Sequence, residues 1–347
     1  MLCSLRMESP MSDVIDFSAL VMDDDDDLIA SIQKVSTDTL PAADVTIAVA
    51  YAALSFRDAL NLSGRGRMPS GLKQVPGIEL TGTVVDSNDD RFALGDDVFT
   101  YGYGLGERYW GGMAGYSRAK ADWLLPVPQG FSDHAIMALG APAAAAQMAI
   151  NELFHHGLSL TDGPVLVTAS GSEVGRLAVL MLAHAGYQVA AAINDERHAE
   201  LARQFGASEI IMHEELIENA NRLLDEPRWA GIIDCAGGTI LAAALGQLMP
   251  GCMATLCAPV HGHDLPVSLA PFVVRGCRLV GINPLNQPME ERMALWQSLG
   301  KVFSDQTIRE KAMKNTEVIM LSEVVGYSAR ILQGDNTSRV LVNMTNL

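Results

Sequence analysis

A short turn rich in glycine and serine, Ala169–Gly175 (ASGSEVG), follows an apolar run of strand type and precedes a segment with helical periodicity. Turns in this setting present backbone N–H groups at a helix N-terminus, where they bind the pyrophosphate of a dinucleotide. The candidate contacts in this turn are Gly171, Ser172, Val174 and Gly175. Ser172 and Glu173 fit the role less well, because a side chain and a negative charge stand where the phosphates would approach. Glu173 could also cap the helix and occupy donors that the pyrophosphate needs.

The choice of nucleotide depends on the end of the next predicted strand. Asp195 follows Gly175 by 20 residues, and a carboxylate at this point accepts a hydrogen bond from the ribose 2′-OH of NAD. The same carboxylate would repel the 2′-phosphate of NADP, although Arg197 stands close enough to compensate in part. We therefore expect NADH or NADPH as cofactor, with the local residues favouring NADH. The alternative is that the protein binds its cofactor weakly or not at all and serves as a binding or scaffold module.

A basic loop and a tryptophan are the candidates for binding a substrate. Arg65, Arg67 and Lys73 form a dense basic cluster in an otherwise acidic chain. Such a loop could receive the phosphates of a coenzyme A thioester, and a solvated surface loop explains the same residues equally well. Trp110 stands beside two glycines and is either a wall of a substrate cleft or a packed core aromatic. The substrate-binding candidates are thus Arg65, Arg67 and Trp110.

Composition excludes several classes of function. The formal net charge of −17 argues against nucleic acid as a partner, because its phosphates must be met by clustered Lys and Arg. No apolar run reaches the about 20 residues that span a bilayer. The first 16 residues contain no apolar signal core, so we expect a cytoplasmic protein. The five cysteines have no paired spacing, which argues against a disulfide framework and a four-cysteine zinc site.

The pattern of predicted strands and helices changes along the chain and indicates two domains. From about residue 17 to 130, short β-type runs separated by Gly and Pro predict a barrel or sandwich, with the acidic run 23–27 at an exposed hairpin turn. From 131 to 283, strands alternate with helices, which predicts an α/β domain with a parallel sheet. Its predicted strands are Val165–Thr168, Gln188–Ile193, Glu209–Met212, Gly231–Cys235, Met253–Ala258 and Leu279–Ile282. Six such strands are typical of the doubly wound, Rossmann-type dinucleotide-binding fold.

Several segments together resemble one known family. They include Tyr51–Leu60 (YAALSFRDAL), Val75–Glu79 (VPGIE), Gly163–Thr168 (GPVLVT) and Phe205–Ser208 (FGAS). From about 17 to 343 the chain resembles the acrylyl-CoA reductase branch of the quinone oxidoreductase-like medium-chain dehydrogenases/reductases. The resemblance implies an extension (1–16), a GroES-like β-rich catalytic domain (17–130 and 284–347) and a Rossmann domain (131–283). It also implies hydride transfer from NADPH to the activated C=C bond of a small-molecule substrate, and a homodimer joined through the strand at 279–282.

The resemblance allows a check for zinc. Zinc-dependent members of this superfamily carry a Cys near Phe56–Asp58 and a Gly-His-Glu where this chain has Gly77–Glu79 (GIE). Neither the Cys nor the His is present, and a catalytic zinc needs three protein ligands. We therefore expect no metal.

The chain also departs from the family at the expected active site. The family's Asn-Tyr-Lys-Asp is Ser55–Asp58 (SFRD) here, so the phenol that would face the nicotinamide has lost its hydroxyl. The catalytic candidates are Phe56, Arg57 and Asp58, with Arg57 and Asp58 polarising the substrate and a bound water supplying the proton. A Gly-Thr-Ala-Gly segment of the family is Gly140–Ala143 (GAPA) here. With Asp195 and Arg197, the further cofactor contacts that the resemblance implies are Ile193, Asn194, His213, Cys257, Ile282 and Arg339.

Overall fold

The computed structural model of the chain describes residues 14–23, 29–66, 73–218, 223–257, 262, 264–334 and 338–345. The strands, in chain order, are β1 (Asp16–Asp23), β2 (Ile29–Ser36), β3 (Val45–Ala53), β4 (Glu79–Ser87), β5 (Asp97–Tyr101), β6 (Tyr116–Ala119), β7 (Leu125–Pro126), β8 (Val165–Val167), β9 (Val189–Ile193), β10 (Glu209–Met212), β11 (Trp229–Asp234), β12 (Leu248–Leu256), β13 (Arg278–Gly281), β14 (Thr316–Met320) and β15 (Arg339–Asn343). The helices are α1 (Phe56–Leu62), α2 (Asp133–His155), α3 (Glu173–His184), α4 (Ala199–Phe205), α5 (His213–Glu218), α6 (Gly238–Gly246), α7 (Ala270–Val273), α8 (Met289–Val302), α9 (Gln306–Met313) and α10 (Val324–Gln333).

The chain forms two compact units, and their boundaries differ from the expected ones at two places. One unit contains the residues up to Gly140 and those from Thr316 onward, and the other contains Ala141–Asn315. The start of α2 belongs to the first unit, where Asp133 accepts a hydrogen bond of 2.7 Å from the Thr81 hydroxyl. Helix α2 is broken at Gly140, whose φ of 45° and ψ of −151° are not helical. Helices α8 and α9 belong to the second unit, where α9 packs on α3.

The first unit is built on a seven-stranded sheet with the order β14-β15-β3-β4-β5-β7. Strand β3 lies at its centre. The start of β3 pairs with β6 (Val45↔Ala119), its end pairs with β15 (Ala53↔Leu341), and β4 lies along its other edge. The last strand of the chain therefore completes the sheet of the first unit. The buried core of this unit includes Phe17, Val45, Ile47, Leu80, Val98 and Val340.

A separate antiparallel pair, β1 and β2, flanks the acidic run. The pair extends as far as Asp23↔Ile29, so the chain reverses direction between these two residues. Residues 24–28, which hold the rest of the acidic run, lie outside the described part of the chain.

The second unit confirms the predicted α/β fold. Its six-stranded sheet has the order β10-β9-β8-β11-β12-β13, and each neighbouring pair is parallel. In chain order these strands read 3-2-1-4-5-6, which is the doubly wound dinucleotide-binding arrangement. Strands β8 and β9 are apolar and buried along their whole length, as expected for a parallel sheet with both faces covered. Among the described residues, no helix combines the length and the apolar character that crossing a membrane requires.

Candidate functional site

The turn after β8 stands where ligands bind in doubly wound sheets. The strand order reverses between β8 and its neighbour β11, and ligands of such sheets lie at the carboxyl ends of the strands beside this reversal. The turn leads directly into α3, whose N-terminus therefore faces this edge. The turn that the sequence indicated therefore lies at the ligand-binding edge of the sheet.

Hydrogen bonds from two neighbouring elements hold the turn in shape. The backbone of Ala169 has a φ of 43°, a left-handed conformation that non-glycine residues seldom adopt. Its N–H donates to Nε2 of His213 at 3.3 Å, and the Ser170 hydroxyl donates to the Ala192 carbonyl oxygen at 3.0 Å. His213 is 3% exposed. It therefore supports the backbone of the turn.

Two glycines in the turn allow close approach of neighbouring atoms. A Cβ on Gly175 would lie 2.5 Å from the Ala169 carbonyl oxygen, and one on Gly171 would lie 2.5 Å from Nδ1 of His198. Gly175 therefore lets α3 pack against the end of β8, and Gly171 lets the turn pack against a buried imidazole. This cradle of small residues at the N-terminus of a 12-residue helix fits the pyrophosphate of a dinucleotide.

Ser172, and not Glu173, caps α3. The Ser172 hydroxyl oxygen accepts a hydrogen bond of 3.1 Å from the Gly175 N–H, so one donor of the first turn is already used. Glu173 is the first residue of α3 and is half-buried. The expectation that Glu173 could cap the helix was wrong, because serine reaches the N3 amide with its short hydroxyl side chain. The negative charge of Glu173 remains at the mouth of the cradle.

Asp195 and Arg197 form an ion pair directly after β9. Oδ1 of Asp195 accepts from the Arg197 backbone N–H at 2.9 Å, and Oδ2 accepts from Nε of the guanidinium at 2.8 Å. These hydrogen bonds from Arg197 lower the pKa of Asp195 to about 2. The carboxylate that was expected to repel a 2′-phosphate therefore has a guanidinium folded against it, and the two charges largely cancel.

A buried threonine–aspartate pair joins the ends of β8 and β11, and sequence reasoning missed it. The Thr168 hydroxyl donates to Oδ1 of Asp234 at 2.6 Å and accepts from the Cys235 N–H at 3.0 Å. The other oxygen of Asp234 accepts from the Gly237 N–H at 2.9 Å. Burial raises the pKa of Asp234, and both residues are fully buried. An acid at the end of an apolar strand and just before two glycines was the available signal.

The other expected cofactor residues of this unit differ in exposure. Ile193 and Ile282 are buried, at 0% and 8% exposed. Val174 and Cys257 are half-buried, and Asn194 is exposed. Cys257 is adjacent to Cys235 at the ends of β12 and β11.

In the first unit, Asp58 is a structural carboxylate. It is fully buried, and it completes a capping box in which the Ser55 N–H donates to its Oδ2 at 2.9 Å. Its Oδ1 accepts from the N–H groups of Gly77 and Ile78 at 2.9 and 3.2 Å. Burial raises the pKa of Asp58 to about 6, against the lowering effect of these hydrogen bonds. The expectation that Asp58 polarises a substrate is therefore corrected, because no part of it is accessible.

Phe56 and Arg57, by contrast, are exposed at the start of α1. Phe56 is 50% exposed. Nε of Arg57 lies 3.6 Å from Oε1 of Glu107. These two residues are the accessible part of the catalytic segment that the sequence indicated.

Arg339 forms a buried ion pair with Glu79. Nη2 of Arg339 lies 2.8 Å from Oε2 of Glu79, and the two side chains are 1% and 2% exposed. Nε of Arg339 also donates to the Met137 carbonyl oxygen at 3.1 Å. Arg339, which was expected to contact the cofactor, thus bonds with Glu79 and with the Met137 carbonyl oxygen, both in the first unit. The carboxylate of Glu79, which follows the position of the missing zinc-binding His, is paired with an arginine.

The expected substrate residues are only partly described. Arg65 is exposed, and Arg67 lies outside the described residues. Trp110 is half-buried against the core of the first unit, and its indole N–H donates to the Lys73 carbonyl oxygen at 3.1 Å. In the described part of the chain, no group of three or more His, Cys, Asp and Glu side chains is arranged to hold a metal ion.

Comparison with known proteins agrees with this architecture. The family described as alcohol dehydrogenase GroES-like domain matches residues 41–129, and the family described as zinc-binding dehydrogenase matches residues 174–298. Acrylyl-CoA reductase AcuI of Ruegeria pomeroyi is 35% identical over 335 residues, which cover 94% of this chain and 99% of that protein. The yhfP protein of Bacillus subtilis, solved with NAD bound, has a TM-score of 0.89 at 32% identity and covers 96% of this chain and 100% of its own. The yhdH oxidoreductase of Salmonella enterica, solved in complex with NADP, has a TM-score of 0.88 at 33% identity, covering 94% and 99%.

A GroES-like β-rich unit and a Rossmann unit with a glycine cradle at the sheet reversal define a two-unit dehydrogenase fold. The chain belongs to the medium-chain dehydrogenase/reductase superfamily, in its quinone oxidoreductase-like and acrylyl-CoA reductase-like branch. It is therefore an oxidoreductase by family.

Proposed function

We propose that the protein uses NADH or NADPH to reduce the activated C=C bond of a small-molecule substrate, or a quinone, without zinc. The observation that carries this proposal is the turn of Gly171, Ser172 and Gly175 at the N-terminus of the 12-residue helix α3, because the first backbone N–H groups of a helix can bind a pyrophosphate. The nicotinamide cofactor supplies the hydride when bound. The residues of this chain bind and orient the reactants, which can contribute much of the rate acceleration.

The second unit contributes nucleotide binding. The backbone of the Ala169–Gly175 turn would hold the pyrophosphate, and the Asp195–Arg197 pair would meet the adenosine ribose. In this pair the carboxylate suits a 2′-OH, and the guanidinium suits a 2′-phosphate. The relatives are consistent with either outcome, since the yhfP structure contains NAD and the yhdH structure contains NADP. We propose that the paired charges make this protein tolerant of both nucleotides.

The first unit contributes the substrate contacts that remain after Asp58 is excluded. Phe56 would offer an apolar face to the nicotinamide, and it has no hydroxyl to donate a proton. Arg57 would polarise the substrate, held in place by Glu107. The proton would come from water.

A CoA thioester is the substrate class that we favour. One relative at 35% identity is named acrylyl-CoA reductase, and exposed Arg65 stands in a loop whose sequence is basic. A quinone is the second candidate, because another relative, from Bacillus subtilis, is named putative quinone oxidoreductase.

Independence from zinc, location and assembly are parts of the same proposal. The positions of the zinc-binding Cys and His of related dehydrogenases hold other residues, and Glu79 is paired with Arg339. The cytoplasmic location rests on the sequence alone. A homodimer would form through β13, which is an edge strand of the six-stranded sheet. Among the described residues, β12 is the strand that pairs with it. Such a strand offers backbone groups to a second copy.

The test combines binding and turnover. Purified protein is titrated with NADH and with NADPH while its melting temperature is followed, and a ligand at 100 times its Kd should stabilise it by about 2.7 kcal/mol. Oxidation of the nucleotide is then measured with acrylyl-CoA and with a quinone, alongside elemental analysis for zinc. We expect binding, turnover of one substrate class and no stoichiometric zinc. Binding of neither nucleotide at millimolar concentration would contradict the proposal.

A further inference from the structure

Two cysteines that are far apart in the sequence are neighbours at the ends of two strands. In the parallel pairing of β11 and β12, Asp234 is the partner of Leu256, and the Cys257 N–H donates to the Asp234 carbonyl oxygen at 2.8 Å. Cys235 and Cys257 are therefore the next pair of residues along the two chains. Neighbouring strands lie about 4.8 Å apart, within the Cα separation of about 4.4–6.8 Å that a disulfide spans.

The side chains of this pair meet each other and the cofactor turn. The thiol of Cys235 interacts with the thiol of Cys257 and with the hydroxyl of Ser172. The backbone N–H of Cys235 donates to the hydroxyl of Thr168, the residue before the cofactor turn, at 3.0 Å. The contact with Cys257, together with burial, holds the pKa of Cys235 well above its usual value. Cys235 is fully buried, whereas Cys257 is partly exposed. An oxidant arriving from solvent would therefore reach Cys257 first.

We propose that Cys235 and Cys257 are a modification site, at which a hydroperoxide converts two thiols to a disulfide and thereby weakens binding of the dinucleotide at the adjacent turn. The second half of this inference rests on the proposed function. The first half, formation of the bond, does not.

The chemistry balances with one hydroperoxide per disulfide. The Cys257 sulfur, as thiolate, attacks the outer oxygen of the hydroperoxide. The S–O bond forms, the O–O bond breaks, and the alkoxide or hydroxide that leaves takes up the proton that Cys257 released. The Cys235 sulfur then attacks the Cys257 sulfur of the sulfenic acid, and hydroxide leaves with the Cys235 proton as water. Two thiols are oxidised by two electrons in total, and the hydroperoxide is reduced to an alcohol, or to water, plus one water.

The link to nucleotide binding runs through Ser172. Its hydroxyl accepts from the Gly175 N–H at 3.1 Å and interacts with the Cys235 thiol. Cys235 is also held to the start of the turn, because its N–H donates to the Thr168 hydroxyl at 3.0 Å. A bond between Cys235 and Cys257 draws the Cys235 sulfur toward β12 and removes the thiol from this network. The residue that caps α3, at the cradle for the pyrophosphate, then loses a partner.

A second cysteine pair in the same sheet provides a matched control. Met253 pairs with Arg278 between β12 and β13, so Cys252 and Cys277 are also adjacent along neighbouring strands. Cys252 and Cys277 come before Met253 and Arg278, whereas the cofactor turn lies at the carboxyl ends of the strands. The Cys277 thiol donates a hydrogen bond to the Met249 carbonyl oxygen at 3.5 Å. It shares the chain, the sheet and the spacing, but it makes no contact with Ser172 among the bonds that the structure describes.

The experiment treats the reduced full-length protein with hydrogen peroxide and maps disulfides by mass spectrometry of peptides. In parallel, the Kd of NADH and of NADPH is measured before oxidation, after oxidation, and after reduction with dithiothreitol. The wild type is compared with Cys257→Ser and with the double variant Cys252→Ser/Cys277→Ser. For each protein, the Kd after oxidation is divided by the Kd of the same protein in the reduced state. A substitution that changes the affinity of the reduced protein therefore does not by itself change this ratio.

We expect a peptide linked through Cys235 and Cys257, and a Kd that rises about five- to tenfold on oxidation and returns on reduction. The ratio should persist in Cys252→Ser/Cys277→Ser and fall to unity in Cys257→Ser. Absence of the linked peptide overturns the modification site. A linked peptide with unchanged Kd overturns its coupling to the nucleotide. If the reduced protein binds neither nucleotide, the proposed function and the coupling fail together, while the linked peptide still decides the disulfide.

Discussion

The guanidinium of Arg339 lies 2.8 Å from the carboxylate of Glu79, although 260 residues separate them in the chain. Both side chains are almost completely buried. A Cβ on Gly140 would come within 2.2 Å of the Glu79 oxygen and 2.5 Å of the Arg339 nitrogen. The break in α2 thus brings a residue without a side chain over the ion pair, and strands β4 and β15 are tied to the start of α2.

Removing one partner of this pair should destabilise the protein strongly. Arg339→Met leaves the Glu79 carboxylate buried without its cation, at a cost of about 3–5 kcal/mol in the free energy of unfolding. The double variant Glu79→Leu/Arg339→Met should recover much of this loss, since no charge is then left alone. Urea denaturation measures both. The control is the exposed Arg91, which pairs with Asp89 and Asp122 at 2.8 Å, and Arg91→Ala should cost far less than Arg339→Met.

Asp58 predicts a pH dependence of stability. Burial raises its pKa to about 6 in the folded protein, whereas an unfolded aspartate titrates near about 3.9. The folded state binds this proton more tightly, so its stabilising effect is complete below about pH 4 and is lost as the pH rises through about 6. The loss is on the order of 3 kcal/mol.

The variant Asp58→Asn lacks this titration. Wild-type stability minus variant stability should therefore fall by that order between about pH 4 and about pH 7, as measured by urea denaturation. Asp89→Asn serves as the control, because hydrogen bonds from Arg91 lower the pKa of Asp89 to about 2, and its folded-state titration lies below this window. A pH-independent difference for Asp58→Asn would show that its carboxylate is not shifted.

Arg197 should decide how well NADPH binds. Arg197→Ala leaves the Asp195 carboxylate uncompensated, so NADPH affinity should fall by about tenfold or more while NADH affinity changes little. Because the pKa of Asp195 is about 2, Asp195 itself stays ionised between about pH 6 and about pH 8. Fluorescence titration with each nucleotide measures it. Arg203→Ala, another exposed arginine, paired with Glu200 on α4, is the control, and an equal loss for both nucleotides in Arg197→Ala would contradict the assignment.

Glu173 should limit nucleotide affinity through its charge. Glu173→Gln removes a negative charge from the cradle, and both nucleotides should bind about three- to tenfold more tightly at low salt, with a smaller gain at high salt. Ser172→Ala instead removes the cap of α3 and should lower stability by about 1 kcal/mol. Calorimetric titration at two ionic strengths separates the two effects. Unchanged affinity in a folded Glu173→Gln would show that the turn's charge is not the obstacle to binding.

The cofactor turn and the sheet were predictable because their signals are local. A buried strand, a glycine-containing turn and a helix follow one another within about 20 residues, and such periodicities reflect burial of one face or both. Asp195 was found by counting from Gly175, and Arg197 was named because it stands close to Asp195 in the sequence. Their mutual ion pair was not predicted, because spacing indicates that two residues are close but not where their side chains turn.

The sequence by itself determined the order of strands and helices, the glycine cradle and the absence of the zinc-binding Cys and His, since these depend on residue types at neighbouring positions. Only the tertiary structure decided that Asp58 and Arg339 are buried and that Glu79 meets Arg339. It also decided that Cys235 and Cys257 are neighbours at the ends of adjacent strands. Burial and pairing depend on which strands become neighbours, and strand register brings together residues whose separation along the chain carries no signal.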